Sequence, residues 1–185
     1  MSIFEFSSII VAIVVGLAIA NVLDKFSHTI KVTNWIKQGW FQSLLCVLVL
    51  NMMLGYFWGF WGMFYSATQI GLLEFVLGPF ISITSLYLIS VFLPVPRLNE
   101  NSTDIDDYFM KGRKPFFILI TIFIVQSQLT ALYYPHIAPS LLVLLTLPFL
   151  FFGVLLKTIR TQKIIIIGAA ALIGLIVSSA FIAQT

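Results

Sequence analysis

The sequence predicts an all-α fold, a polytopic membrane helix bundle of six transmembrane helices with both termini outside. Hydrophobic residues make up 60% of the 185 residues and charged residues only 9%, far from the balance of a water-soluble domain. All Lys and Arg residues fall into three alternate connections between the apolar runs. They are Lys25, Lys31 and Lys37, then Arg97, Lys111, Arg113 and Lys114, and finally Lys157, Arg160 and Lys163. Because basic connections are retained on the cytoplasmic side of a bilayer, this alternation predicts the direction of each crossing.

The first three spans are predicted at about residues 3–23, 40–64 and 72–93. Glu5 lies in the first span with no Lys or Arg before it, which argues against a cleaved signal peptide. Trp40 is expected to anchor the second span at the membrane interface. The third span ends before Pro94 because proline disrupts a continuing helix.

The second half begins with a cytoplasmic loop at residues 97–114, in which a short helix is predicted from about Asp104. The remaining spans follow at about 116–133, 140–156 and 164–182, each close to the length of about 20 residues that a crossing needs. Six crossings use most of the chain, so residues 1–185 are expected to form one transmembrane domain. The basic residues flank spans, and no nucleic-acid partner is expected.

Small residues recur along one side of the second and sixth helices. Where a lipid removes the hydrophobic driving force, such residues let helices approach closely. They are Ser43, Asn51, Gly55, Gly59, Gly62 and Ser66 in the second helix and Ala170, Gly174 and Ser178 in the sixth. Helix packing is the ordinary interpretation, and a helix that slides or lines a narrow path is the functional one. The small-residue faces also predict a homo-oligomer or a subunit of a membrane complex.

Three polar side chains fall at similar depth in three different spans. Counting about 1.5 Å per residue from each helix entry places Asn51, Ser82 and Gln126 near the centre of the bilayer. Amides at that depth are expected to point inward and hydrogen-bond one another. Such a layer either holds helices together or forms part of an ion or solute path beside a helix interrupted by proline.

Glu5 and Glu74 are the two acidic residues on the predicted outer side. Each lies in the first turn of a helix, where the helix dipole favours a carboxylate. Alternatively, they form the entry of a cation or proton path. Glu74 favours that interpretation because Gly78 and Ser82 continue from it along one side of the third helix.

Asn21, Asp24 and His28 share one face at the inner end of the first helix and could form a proton relay, or simply extend polar groups to the interface. We expect no metal site and no cofactor, since further ligands of suitable type are missing from this pattern. Hydrolase, metalloprotease and phosphate-loop motifs do not occur in the sequence, so no catalytic residue is predicted and the protein is not expected to be an enzyme.

The segment from Tyr108 to Phe117 resembles a Tyr-Phe-x-x-x-Arg-x-x-Phe-Phe pattern found in small bacterial six-span membrane proteins without assigned function. The resemblance covers ten residues and implies the same six-helix layout and a multi-pass position in the bacterial inner (plasma) membrane. It implies no activity. Arg113 is then expected to meet lipid headgroups, with Phe116 and Phe117 beginning the fourth span.

Together these patterns favour a small channel or transporter for a cation, a proton or a small polar solute. The alternative is a non-transporting membrane subunit or effector that binds a partner through its cytoplasmic loops. In either case the lipid bilayer is the first partner that the sequence predicts.

Overall fold

A computed structural model describes residues 3–32, 39–64, 72–95, 105–133 and 146–182 of the chain. Within these ranges all regular structure is helical, with no strand, and six helices follow one another. They are α1 (Ile3–Val32), α2 (Trp40–Phe64), α3, α4 (Ile105–Tyr133), α5 (Thr146–Leu155) and α6 (Ile159–Ile182). Helix α3 consists of an α-helical start (Leu72–Phe75), one π-helical turn (Val76–Phe80) and a second α-helical part (Ile81–Phe92). The predicted all-α fold with six helices is confirmed.

Two of the described helices are long and apolar enough to cross a membrane, over Glu5–Lys31 and Trp40–Trp61. Shorter apolar helices cover Val76–Phe92 and Thr146–Leu155. Both long segments meet the length of about 20 residues that a crossing requires.

Helices α1, α4 and α6 begin or end elsewhere than the apolar runs predict, and α6 begins at Ile159 rather than at about residue 164. Helix α1 continues past residue 23 to Val32, so that Lys25 is part of a helix rather than of a loop. Helix α4 joins the predicted short helix to the fourth span, with Pro115 inside it and Asp106 in its first turn. Apolar runs mark where a chain meets hydrocarbon, whereas polar residues can extend a helix beyond that region. The ends of apolar runs are therefore poor guides to the ends of these helices.

Consecutive helices pack against one another except α2 and α3, which touch only slightly. Helix α1 packs against α2 and against the Ile81–Phe92 part of α3, α3 packs against α4, α4 against α5, and α5 against α6. Helix α2 also touches α6. Buried apolar side chains from these helices form one core, which includes Val15, Met53, Leu86 and Phe116.

One end of the bundle gathers the described Lys and Arg residues, and we call it the basic end. The rings of Phe41 and Phe109 meet edge to face there, with centroids 5.0 Å apart, and join the start of α2 to the start of α4. Lys163 of α6 lies 3.1 Å from an Asp106 carboxylate oxygen and 5.7 Å from the centre of the Phe41 ring. These contacts bring the starts of α2, α4 and α6 together.

Candidate functional site around the π turn of α3

The π turn of α3 follows from Pro79. Proline has no amide hydrogen and its ring collides with the preceding turn, so an α-helical hydrogen bond is lost at this point. The chain widens into one π turn over Val76–Phe80, with Gly78 and Pro79 buried. Single π turns of this kind occur frequently at functional sites. Pro79 therefore singles out this segment among the described residues.

Side chains from three helices donate hydrogen bonds to three consecutive carbonyl oxygens of this turn. The Gln126 amide of α4 donates to the carbonyl of Leu77. The Ser82 hydroxyl of α3 donates to the Gly78 carbonyl at 3.1 Å, and the Tyr56 hydroxyl of α2 donates to the Pro79 carbonyl at 3.2 Å. Uncharged side-chain donors thus add to the backbone pairing of the turn, in which the Ile81 amide donates to the Gly78 carbonyl.

Further contacts hold these donors in place. The Tyr56 ring packs edge to face on Phe123 of α4, with centroids 5.7 Å apart. Thr130 donates to the Gln126 carbonyl at 2.9 Å, and its side chain lies about where a Cβ on Gly78 would make ordinary contact, at 3.5 Å. Helix α4 therefore contacts the π turn at Gly78 through Thr130, with room for a Cβ between them.

The structure brings two members of the predicted polar layer to this turn and leaves the third outside. Ser82 is buried and Gln126 is half-buried, and both bind carbonyls of the turn. They meet through the backbone rather than through each other. The Asn51 side chain is exposed on the surface of α2, which corrects the expectation that it points inward. Depth along a helix specifies the level of a residue, but not the face that it occupies.

Tyr56 is the residue of α2 that binds the π turn, in the role predicted for Asn51, and the sequence patterns did not identify it. It occurs in α2 five positions after Asn51, on a different face of the helix. A phenol in an apolar helix needs a partner for its hydroxyl, which is the signal that could have identified it.

The two predicted outer acids occupy the starts of their helices. Glu74 is half-buried in α3, one turn before Gly78, and Glu5 is exposed in the first turn of α1. Only Glu74 is thus adjacent to the π turn along the chain. Glu74 precedes Gly78 by four residues and Ser82 by eight, with the π turn between Glu74 and Ser82.

At the other end of α3, the predicted inner relay contains a residue that we did not include. Asn21 donates to the Ser90 hydroxyl at 3.4 Å and His28 is buried, but Asp24 is exposed. Lys25 lies on the buried side instead, and its ammonium group donates to the carbonyls of Val91 at 2.9 Å and Leu93 at 2.7 Å. The spacing of Lys25, four residues after Asn21 and three before His28, was the available signal.

Two of the predicted helix-packing glycines, Gly55 and Gly59, make no close contact with other described residues. A Cβ placed on Gly55 or Gly59 would have no heavy atom within 4 Å among the described residues. The surroundings of Gly62 and Gly174 lie outside the part of the chain whose side chains the structure describes. The close contacts of glycine are elsewhere, since a Cβ on Gly153 would lie only 2.9 Å from the Phe117 ring.

The described side chains include no group of three or more His, Cys, Asp or Glu residues that could hold a metal ion. Comparisons with protein-family models, with curated proteins and with solved structures find no match to this chain. The geometry of the π turn and its surroundings is therefore the basis on which a function can be proposed.

Proposed function

We propose that this protein is a small channel or transporter for a cation, a proton or a small polar solute, built from six membrane-spanning helices with both termini outside. The chemistry of the surface supports a membrane position. Trp58 exposes 73% of its surface, Ile164 69% and Phe151 62%. Large apolar side chains exposed to this extent favour contact with lipid chains or with other apolar helices over contact with water.

The basic end supports the proposed direction of the helices. Lys25, Arg113 and Lys163 belong to three helices and lie at the same end of the bundle, on the side that the distribution of charge assigns to the cytoplasm. A bacterial inner membrane is the corresponding location. No enzymatic activity is part of this proposal.

The π turn is the observation that carries the transport proposal. Carbonyl oxygens released from a helix are suitable ligands for a cation, and interrupted helices supply such oxygens in many transporters. The donors to Leu77, Gly78 and Pro79 are uncharged, so each of them can turn away at a modest cost of about 1 kcal/mol per hydrogen bond. Glu74, one turn earlier, would provide the negative charge that attracts a cation or carries a proton.

An oligomer forms part of the same proposal. Asn51, Gly55 and Gly59 lie on one strip of α2 with open space beside the glycines. A polar amide next to small residues suits close packing with a helix of a second copy. The strip would then serve assembly, whereas the π turn would serve transport.

The test is flux into liposomes that contain the purified protein alone. We expect wild-type protein to pass a cation or protons, and we expect both Glu74→Gln and Tyr56→Phe to change the rate several-fold. The control is Tyr87→Phe, which removes the same hydroxyl from an exposed tyrosine of α3. A change in flux of equal size for Tyr87→Phe would contradict a role of the π turn in the transport path.

Absence of flux from folded wild-type protein, with several cations, several anions and a pH gradient, would contradict the transport proposal. The alternative, a subunit that binds a partner through its cytoplasmic loops, would then take its place.

A further inference from the structure

A cleft lies between α2, α4, α5 and α6. It has a cavity volume of about 90 Å³ and is partly open to the outside. Its lining is almost entirely apolar and includes Leu48, Met52, Phe117, Ile120, Leu150 and Ile166. The lining suits a hydrocarbon chain.

Arg113 lies one helical turn before Phe116 and Phe117, which both line the cleft. Its side chain is only 7% exposed. One guanidinium nitrogen donates to the carbonyl of Met110 at 2.6 Å, while Nε has no hydrogen-bond partner among the described residues. The salt bridges in the described part of the chain join Lys111 to Asp107 and Lys163 to Asp106, so Arg113 has no carboxylate partner there.

A guanidinium that is buried without an anion is unfavourable, because burial removes water and nothing replaces its charge. A bound anion whose oxygen atoms accept hydrogen bonds from the guanidinium would compensate for the buried charge. The planar guanidinium of Arg presents donors in a rigid fork that matches the oxygen atoms of a phosphate. The unpaired Nε therefore indicates a phosphate ligand.

More positive charge lies close to the same end of the cleft. Lys114 follows Arg113 directly, and it is exposed. Gly153 packs on Phe117, and the exposed Lys157 comes one turn after Gly153. An apolar cleft is thus followed by positive groups at the basic end of the bundle.

We propose that the cleft binds one anionic phospholipid, with an acyl chain between α2, α4 and α5 and the phosphate on Arg113. Lys114 and Lys157 supply further charge to the headgroup. Basic pockets between membrane helices on the cytoplasmic side suit such headgroups. The inference depends on the proposed position in a membrane, but not on transport.

The test is lipid binding to delipidated protein in a neutral detergent, measured by native mass spectrometry. Phosphatidylglycerol and phosphatidylcholine with identical chains are the probes. We expect wild-type protein to bind phosphatidylglycerol about tenfold more tightly, and Arg113→Gln to lose this preference. Lys31→Gln is the matched control, since it removes a charge from the exposed face of α1, which does not line the cleft.

A second variant tests the cleft itself and does not depend on the folding of the first. Ala169 also lines the cleft, so Ala169→Leu should weaken binding of both lipids and preserve the preference between them. Thermal unfolding without lipid should show Arg113→Gln at least as stable as wild type, because an unpaired buried charge is removed.

Equal binding of the two lipids by wild-type protein would overturn the proposal, as would an unchanged preference in Arg113→Gln. Competition by inorganic phosphate that is as effective as phosphatidylglycerol would indicate a free anion site instead. Flux into liposomes is a separate measurement, so the lipid site and the transport proposal can fail independently.

Discussion

Carbonyl groups of the α3 region accept side-chain hydrogen bonds in two places, and the donors differ in charge. At the π turn, the uncharged side chains of Gln126, Ser82 and Tyr56 each donate to one carbonyl. At the C-terminal end, the single ammonium group of Lys25 donates to two carbonyls, and the Lys25 side chain is only 2% exposed. The carbonyls of the π turn accept hydrogen bonds from neutral side chains, whereas those at the C-terminal end accept them from a charged side chain.

The difference follows from the electrostatics of the two places. The end of a helix carries a partial negative charge from its last carbonyls, and a cation is stabilised there. A mid-helix turn has no such accumulated charge, so neutral donors suffice. Hydrogen bonds from a charged group contribute about 1.5–3 kcal/mol, against about 1 kcal/mol for neutral ones. The end of α3 should therefore be fixed and the π turn adjustable.

Replacement of Lys25 by methionine should cause the largest loss of stability. Methionine keeps the length of the side chain but donates no hydrogen bond. The Val91 carbonyl loses its side-chain donor, and the Leu93 carbonyl keeps only the Val95 amide. We expect a decrease of about 3 kcal/mol in the free energy of unfolding. Reversible unfolding in mixed detergent micelles measures it. Lys31→Met, at an exposed position of the same helix, is the control and should change little.

A loss of unfolding free energy for Lys25→Met that is no larger than that for Lys31→Met would contradict the distinction between the π turn and the C-terminal end of α3. The hydrogen bonds of Lys25 would then contribute no measurable stability to the packing of α1 against α3.

Replacement of Gln126 by leucine should have a smaller effect on stability. The variant has similar volume but leaves the Leu77 carbonyl without its side-chain donor. The expected decrease is about 1–2 kcal/mol in the same unfolding assay. Gln128→Leu is a matched control on the same helix, because the Gln128 amide oxygen is buried without a partner. The control should be neutral or stabilising, and a loss as large as that for Gln126→Leu would contradict a specific role for the π turn.

The fold could be predicted largely from the sequence because its signals are local. Apolar runs of bilayer length and the position of the basic residues predicted six helices in the observed order. The continuation of α1 to Val32 could not be predicted in the same way, because the polar residues after Leu23 are compatible with either a helix or a loop. Contacts with α3 decide the outcome, as the hydrogen bonds of Lys25 illustrate.

The candidate site was only partly predictable, for a related reason. Pro79 and the row from Glu74 to Ser82 are visible in the sequence and lie at the π turn or beside it. The exposure of Asn51 and the contact of Tyr56 depend on how α2 is rotated about its own axis. A helix that is apolar all round gives no sequence signal for that rotation. Depth could be inferred from the sequence, but the direction of the side chain could not.

Replacement of Ser82 by alanine should have the smallest effect on stability. The Gly78 carbonyl that Ser82 binds also accepts a hydrogen bond from the Ile81 amide, so the carbonyl keeps a donor in the variant. We expect a change within about 0.5 kcal/mol, since Ser hydroxyls that bond back to their own helix stabilise it little. The same variant should nevertheless alter flux, because the Ser82 hydroxyl binds a carbonyl of the π turn that we propose for the path. Ser85→Ala is the control, because the Ser85 hydroxyl also bonds back, to Ile81, one turn further along. An unchanged flux in Ser82→Ala alongside a changed flux in Gln126→Leu would confine the adjustable part of the π turn to the Leu77 carbonyl.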